Sequence, residues 1–181
     1  MARITASEAG SVHALAFLDM LAISELGRPL IAVSDDGYNV IVGSTHRKPH
    51  LFASYADHPQ VFVTLSPTLR SSAAGRYQFL ARTWDALARE HGFTDFSPEN
   101  QDRGALQLVR ERKALDYVHR GSVVKAIELC APIWASLPGA GYGQHEHKLE
   151  TLISAYQESL AALKPDFSNV VSGVTTTAPK E

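Results

Sequence analysis

HALAFLDMLAISELG, running from His13 to Gly27, places Ala14, Leu15, Leu18, Leu21 and Ala22 at spacings of three and four. That period lays apolar side chains along one face of a helix, and Gly27 follows as its C-terminal stop. Glu25 lies three, four and seven residues beyond Ala22, Leu21 and Leu18, and so shares their face. A carboxyl group at the end of a buried stripe loses solvation, which disfavours its charged form and raises its pKa, the state a general acid needs near neutral pH. Helix geometry alone leaves a second state open, in which Glu25 sits in a frayed last turn and is solvated.

Outward from this helix the texture changes. The stretch up to about Val12 is small and polar, and Pro165 onward is rich in Pro, Ser and Thr, so both ends read as loose. Asn39–Gly43, Leu51–Tyr55 and Val61–Leu65 are short β-favouring runs broken by Gly, Pro, Asp and His, as in a small antiparallel sheet. Helical period returns with Tyr77, Leu80, Trp84, Leu87 and Ala88, ending near Gly92, and Ser97-Pro98 supplies a cap and first-turn residue for the next helix, which Ala105, Leu108 and Val109 extend. Val123, Ile127, Leu129 and Cys130 predict a shorter helix before Pro132, and Leu149, Leu152, Ile153, Tyr156 and Leu160 a long last one. The outline is an α+β domain of two unequal lobes, mainly helical with a small antiparallel sheet, flanking a substrate cleft. Its expected organisation is a flexible arm over residues 1–12, one catalytic domain over 13–164 and a disordered tail over 165–181.

Composition narrows the function. The chain has 181 residues, 45% hydrophobic, with 17 Lys and Arg against 19 Asp and Glu for a net charge of −2. One core of this size needs no disulfide or metal to stand, and the single cysteine, Cys130, excludes a disulfide framework and a multi-cysteine zinc site. Near-neutrality excludes binding to nucleic acid or an anionic membrane through bulk positive charge. The longest apolar run, Leu15–Ile23, falls short of the ~20 residues of a membrane span and carries Asp19. Met1–Gly10 lacks the small-residue cleavage pattern of a secretory signal, so the expected product is cytosolic.

Two glycine-containing segments place polar side chains before predicted helices: AGRYQ (Ala74–Gln78) and LPGAGYGQ (Leu137–Gln144). Gln78 and Tyr142 could hydrogen-bond neutral hydroxyl and acetamido groups, or the glycines could simply turn the chain. GAGYG lacks the spacing of a dinucleotide fingerprint, and His145 and His147 around Glu146 do not make a zinc-binding H-E-x-x-H. Cys130 reads as a small buried hydrophobe, and Trp84 as core.

Taken together, AFLDMLAISE (Ala16–Glu25), DGYNVIVG (Asp36–Gly43), YADHP (Tyr55–Pro59), AGRYQFL (Ala74–Leu80), DFSPENQD (Asp95–Asp102) and IWASLPGAGYGQHEHK (Ile133–Lys148) resemble the lambda-type phage endolysins, lytic transglycosylases of peptidoglycan. The blocks keep the family's order and approximate spacing from about Ala16 to Tyr156. The resemblance implies a lysozyme-like fold with Glu25 as the single catalytic acid. It also implies cleavage of the β-1,4 bond between N-acetylmuramic acid and N-acetylglucosamine without water, leaving a 1,6-anhydromuramic end and requiring neither metal nor cofactor.

Sugar contacts carried over from the family fall on Tyr38 and Asn39 at the sheet side, Arg76 and Gln78 on the opposing wall, and Tyr142 in the glycine-rich loop, with Trp134 as a stacking candidate. Asn39 departs from the family's Asp and cannot act as a base. A hydrolytic phage lysozyme of the T4 type would pair its Glu with an Asp nine residues on and a Thr six beyond, where this chain has Ser34 and Val40. A non-catalytic wall-binding domain is a further alternative. The implied partners are peptidoglycan glycan strands, with no nucleic acid and no membrane insertion. The expected protein is a monomer made in the host cytoplasm that reaches the periplasmic wall after a separate holin-type pore opens.

Overall fold

In the computed structural model of the chain, which describes residues 3–141 and 146–163, the first long helix is sheathed by others. Short α1 (Ala6–Ala9) leads into this helix, α2 (Val12–Leu26), followed by α3 (Arg28–Ala32). Two strands come next, β1 (Val63–Ser66) and β2 (Leu69–Ser71), and then α4 (Ala81–His91), α5 (Pro98–Glu111), α6 (Leu115–His119), α7 (Val123–Cys130) and α8 (Leu149–Leu163). Helix α2 touches α1, α3, α5, α6 and α8, so it buries Phe17 and Met20 as well as the predicted stripe of Ala14, Leu15, Leu18, Leu21 and Ala22. A helix apolar on almost every side needs neighbours on every side. The Ser11 hydroxyl accepts from the Ala14 amide at one end of α2, and Gly27, at φ 72°, closes the other.

The opening arm, expected to be loose, is packed from Arg3 onward. Ile4 is 1% exposed and its amide donates to Asp102 at 3.2 Å, while Arg3 pairs with Asp19 at 2.6 Å. Thr5 and Glu8 form a reciprocal capping box on α1. Buried Ile4 and the charge-assisted bonds from its amide to Asp102 and from Arg3 to Asp19 hold a segment whose composition is small and polar. The expected tail over 165–181 lies outside the described residues.

The sheet lobe is thinner than its sequence suggested. Strands β1 and β2 pair antiparallel, Val63 with Ser71 and Thr64 with Arg70, and β1 overlaps the predicted run Val61–Leu65. The runs Asn39–Gly43 and Leu51–Tyr55 meet only through the isolated bridge Val40–Leu51 and a bond from the Phe52 amide to the Asn39 carbonyl at 3.0 Å. Ser44 takes over part of the ladder, its hydroxyl bonding the carbonyls of Ile41 and His50 and accepting from the His50 amide. A serine that competes with the backbone in this way replaces a strand with a turn.

Tyr77, expected on the α4 stripe, instead lies in a tight turn closed by reciprocal amide bonds between Ala74 and Phe79. Gly75 takes φ 79° there, and an added Cβ would stand 2.3 Å from Gln101 Oε1, the oxygen that accepts the Arg76 amide. Only glycine fits that turn. Helix α5 begins as predicted, with Ser97 capping Asn100 and Pro98 in the first turn. Trp84 is buried against Phe79, Phe93 and Phe96, and Cys130 is buried as well.

Candidate active site

The sheathing of α2 stops at its last turn. There a recess of about 400 Å³ is lined by Ser24, Glu25, Leu26 and Gly27, by Ala135 and Ser136 from the segment after α7, and by His147 from the approach to α8. Gly27 breaks α2 just after Glu25, so the helix delivers this carboxyl to the edge of the core rather than into it. Burial raises its pKa from the ordinary 4.5 to about 7, against the opposing pull of the Ser136 hydroxyl and amide. The structure shows neither a frayed, solvated turn nor a fully enclosed carboxyl: Glu25 is half-buried in an intact last turn, with its carboxyl held by Ser136. A carboxyl poised near neutrality can both give and take a proton.

Around Glu25 the polar groups form an ordered chain. Ser136 Oγ donates to Glu25 Oε1 at 2.5 Å, and Ser24 Oγ lies 2.7 Å from Ser136 Oγ. His147 holds both serine backbones: its Nε2 is 3.0 Å from the Ser24 carbonyl, and its amide donates to the Ser136 carbonyl at 2.9 Å. Because a carbonyl only accepts, the Nε2 atom of His147 carries the hydrogen. The neighbouring glycine-rich turn is pinned by Glu146, whose carboxylate accepts the Gly139 and Gly141 amides at 2.8 Å each; those bonds hold its pKa below the usual carboxylate range.

Residues 15–163 match the family model described as endolysin. The chain belongs to the endolysin family. This family member is 52% identical over 147 residues to the endolysin of Escherichia phage lambda, covering 80% of this chain and 89% of that relative. It is 46% identical over 151 residues to the endolysin of Escherichia phage P2, covering 78% and 89%. Among solved structures, a bacteriophage lambda lysozyme complexed with a chitohexasaccharide superposes with a TM-score of 0.75 at 48% identity, covering 88% of this chain and 97% of the other. A second lysozyme from bacteriophage lambda gives 0.70 at 44%, with the same coverage. The fold of this endolysin-family chain is therefore lysozyme-like, as its sequence implied.

The sugar contacts expected from the resemblance divide between surface and interior. Tyr38, expected on the sheet-side wall, is 1% exposed; its hydroxyl donates to Asp102 at 2.9 Å and its ring lies 5.0 Å beneath the Arg76 guanidinium. Arg76, expected on the opposing wall, is 4% exposed and paired with Asp19 and Asp36 at 2.8 Å each, with a further bond to the Asp36 carbonyl. The Tyr38 hydroxyl and the two terminal nitrogens of Arg76 are engaged by the protein, while Arg76 Nε is buried without a partner, so these two residues are corrected from sugar contacts to internal supports. Trp134 is likewise buried and donates to the Tyr77 carbonyl at 3.1 Å, which removes it as a stacking platform.

Asn39 is half-buried and accepts the Asp35 amide through Oδ1 at 3.0 Å. Gln78, at φ 50°, turns its side-chain amide back to the Gly75 carbonyl at 2.8 Å. Tyr142 lies outside the described residues. Ser24, Ser136 and His147 are the residues that sequence reasoning missed. Ser136 comes to Glu25 from 111 positions away, with no local signal to mark it.

Proposed function

We propose that this chain is a peptidoglycan lytic transglycosylase that cuts the bond between N-acetylmuramic acid and N-acetylglucosamine, with Glu25 as its single acid and base. The observation that carries the reading is a carboxyl with a pKa near 7 at the rim of an open recess, in a chain with the lysozyme-like fold. A relative at 48% identity was solved with a chitohexasaccharide, which supports a glycan as substrate.

The protonated Glu25 gives its proton to the glycosidic oxygen as the C1–O bond breaks, and the cationic centre at C1 is met by the C6 hydroxyl of the same sugar. As the C6 oxygen bonds to C1, its proton passes to the Glu25 carboxylate. The acid is regenerated, no water is consumed, and the product carries a 1,6-anhydro ring. One group with a pKa near 7 suffices because it alternates between the two roles. A hydrolase of the two-carboxylate kind needs a second acidic group for its water or nucleophile. Of the described residues lining the recess, Glu25 is the only carboxylate. Asp35 accepts the Tyr55 hydroxyl at 2.7 Å, and Asp36 is paired with Arg76.

Asn39, Gln78 and Tyr142 remain the proposed sugar contacts, with Tyr38 and Arg76 supporting the wall behind them. The protein would act as a monomer on glycan strands, reaching them from the host cytoplasm through a separate holin-type pore. Among the described residues, no helix is long and apolar enough to cross a membrane.

Digestion of purified sacculi followed by mass spectrometry tests the reaction. The expected muropeptides are lighter by one water than their hydrolytic counterparts and resist borohydride. Reducing muramic ends would establish hydrolysis instead, and intact sacculi would leave only wall binding.

A further inference from the structure

Glu25 has two carboxyl oxygens, and the proton it transfers occupies one of them. Oε1 faces Ser136, whose hydroxyl carries a single hydrogen and donates it at 2.5 Å. With that hydrogen committed, the 2.7 Å contact between Ser136 and Ser24 can be filled only by the Ser24 hydrogen. Donation therefore runs one way, from Ser24 to Ser136 to Glu25 Oε1. His147 keeps the two serines in register by bonding both of their backbone carbonyls.

We propose that Ser136, oriented by Ser24 and His147, is a positioning residue that keeps Oε1 as an acceptor and thereby places the transferable proton on Oε2. This inference rests on the proposed role of Glu25 as acid and base. It also assigns the second half of the reaction, because the proton leaving the C6 hydroxyl returns to Oε2, with Oε1 still occupied by Ser136. A hydroxyl bond strengthens when its acceptor becomes charged, so Ser136 stabilises the carboxylate formed between the two steps. The opposition of Ser136 to the upward shift at Glu25 has the sign this role requires.

The other charged or titratable groups near Glu25 have separate engagements. His147 is the remaining titratable side chain among the described lining residues and bonds the Ser24 carbonyl. The Glu146 carboxylate is held by the Gly139 and Gly141 amides, Arg28 of α3 pairs with Glu158 of α8, and Lys148 is exposed.

The test is the pH dependence of kcat/KM on a soluble glycan-strand substrate, measured with the intact chain. A hydrogen bond to a charged group is worth about 1.5–3 kcal/mol, or roughly one to two pH units. Ser136→Ala should move the alkaline limb upward by that amount and lower kcat about tenfold or more, while Ser136→Thr, which keeps the hydroxyl, should return the limb to its original place. Ser24→Ala should move it in the same direction by less, and it supplies the comparison if Ser136→Ala does not fold. His147→Gln, whose amide can still donate to the Ser24 carbonyl, should leave the limb in place and so assign it to Glu25. An unmoved limb in both serine-to-alanine variants, or equal shifts in Ser136→Ala and Ser136→Thr, overturns the inference. If Glu25→Gln is inactive while those limbs stay fixed, only the positioning role fails. If Glu25→Gln is fully active, the reading of Glu25 itself fails.

Discussion

Two carboxyl groups of this protein, half-buried Glu25 and fully buried Asp102, show how the same chemistry becomes either machinery or scaffold. Both have a pKa raised first of all by burial. Asp102 is fully enclosed and surrounded by donors: the hydroxyls of Tyr38 and Tyr77 at 2.9 and 2.5 Å, the Ile4 amide at 3.2 Å, and Arg3 Nε at 3.9 Å. Glu25 has the Ser136 hydroxyl on one oxygen and a 400 Å³ recess beside it. Asp102 joins α5 to the N-terminal segment and to the loops carrying Tyr38 and Tyr77, whereas Glu25 terminates a helix at an opening. Saturation with donors from several elements makes a carboxylate a strut; donors from a single residue, Ser136, and an open side leave a proton free to move.

The sharpest way to break the comparison is to remove each acid in turn. Glu25→Gln should cost ~10²- to 10⁴-fold in glycan cleavage, the usual contribution of a general acid, with binding to sacculi retained; lysis at the original rate would end the distinction. Asp102→Ala should instead lower stability by about 3–5 kcal/mol in denaturant titration, because Arg3 and two tyrosine hydroxyls lose their buried acceptor. Activity per folded molecule should change far less.

Removing Glu25 should affect stability in the opposite sense. Its folded pKa of about 7 exceeds the ordinary 4.5, so between those values the folded chain keeps a proton that the unfolded chain has lost. Stability therefore falls as pH rises through that window, and above it the ionised Glu25 costs on the order of 1–3 kcal/mol. Glu25→Gln should gain that amount at pH 8 and little at pH 4, as read by unfolding at the two pH values. The smallest effect is expected at Asn39. Asn39→Asp keeps an acceptor for the Asp35 amide, so turnover should change by about a factor of two or less, a few tenths of a kcal/mol.

Local patterns and tertiary relations contributed differently to what could be read from the residues alone. Helices α2, α5, α7 and α8 follow from apolar period and caps such as Ser97-Pro98, because those signals act within a few residues. The runs around Val40 and Leu51 misled because a serine side chain, not a strand partner, took several of their backbone bonds. Polarity also misled at Tyr38 and Arg76, which look like surface ligands until Asp102, Asp19 and Asp36 are seen to meet them. Glu25 stood out because its position relative to the stripe is a property of one helix. Its partner Ser136, and His147, which bonds the Ser24 and Ser136 carbonyls, arrive from the far end of the chain, where no local spacing announces them.

The direct measurement is the ionisation of Glu25, followed by carbon NMR of the side-chain carboxyl in protein labelled at glutamate and assigned by loss of the signal in Glu25→Gln. A midpoint close to pH 7 is the predicted result. Titration near 4.5, as for a solvated glutamate, would mean that this side chain holds no proton at neutral pH and would contradict its role as the acid.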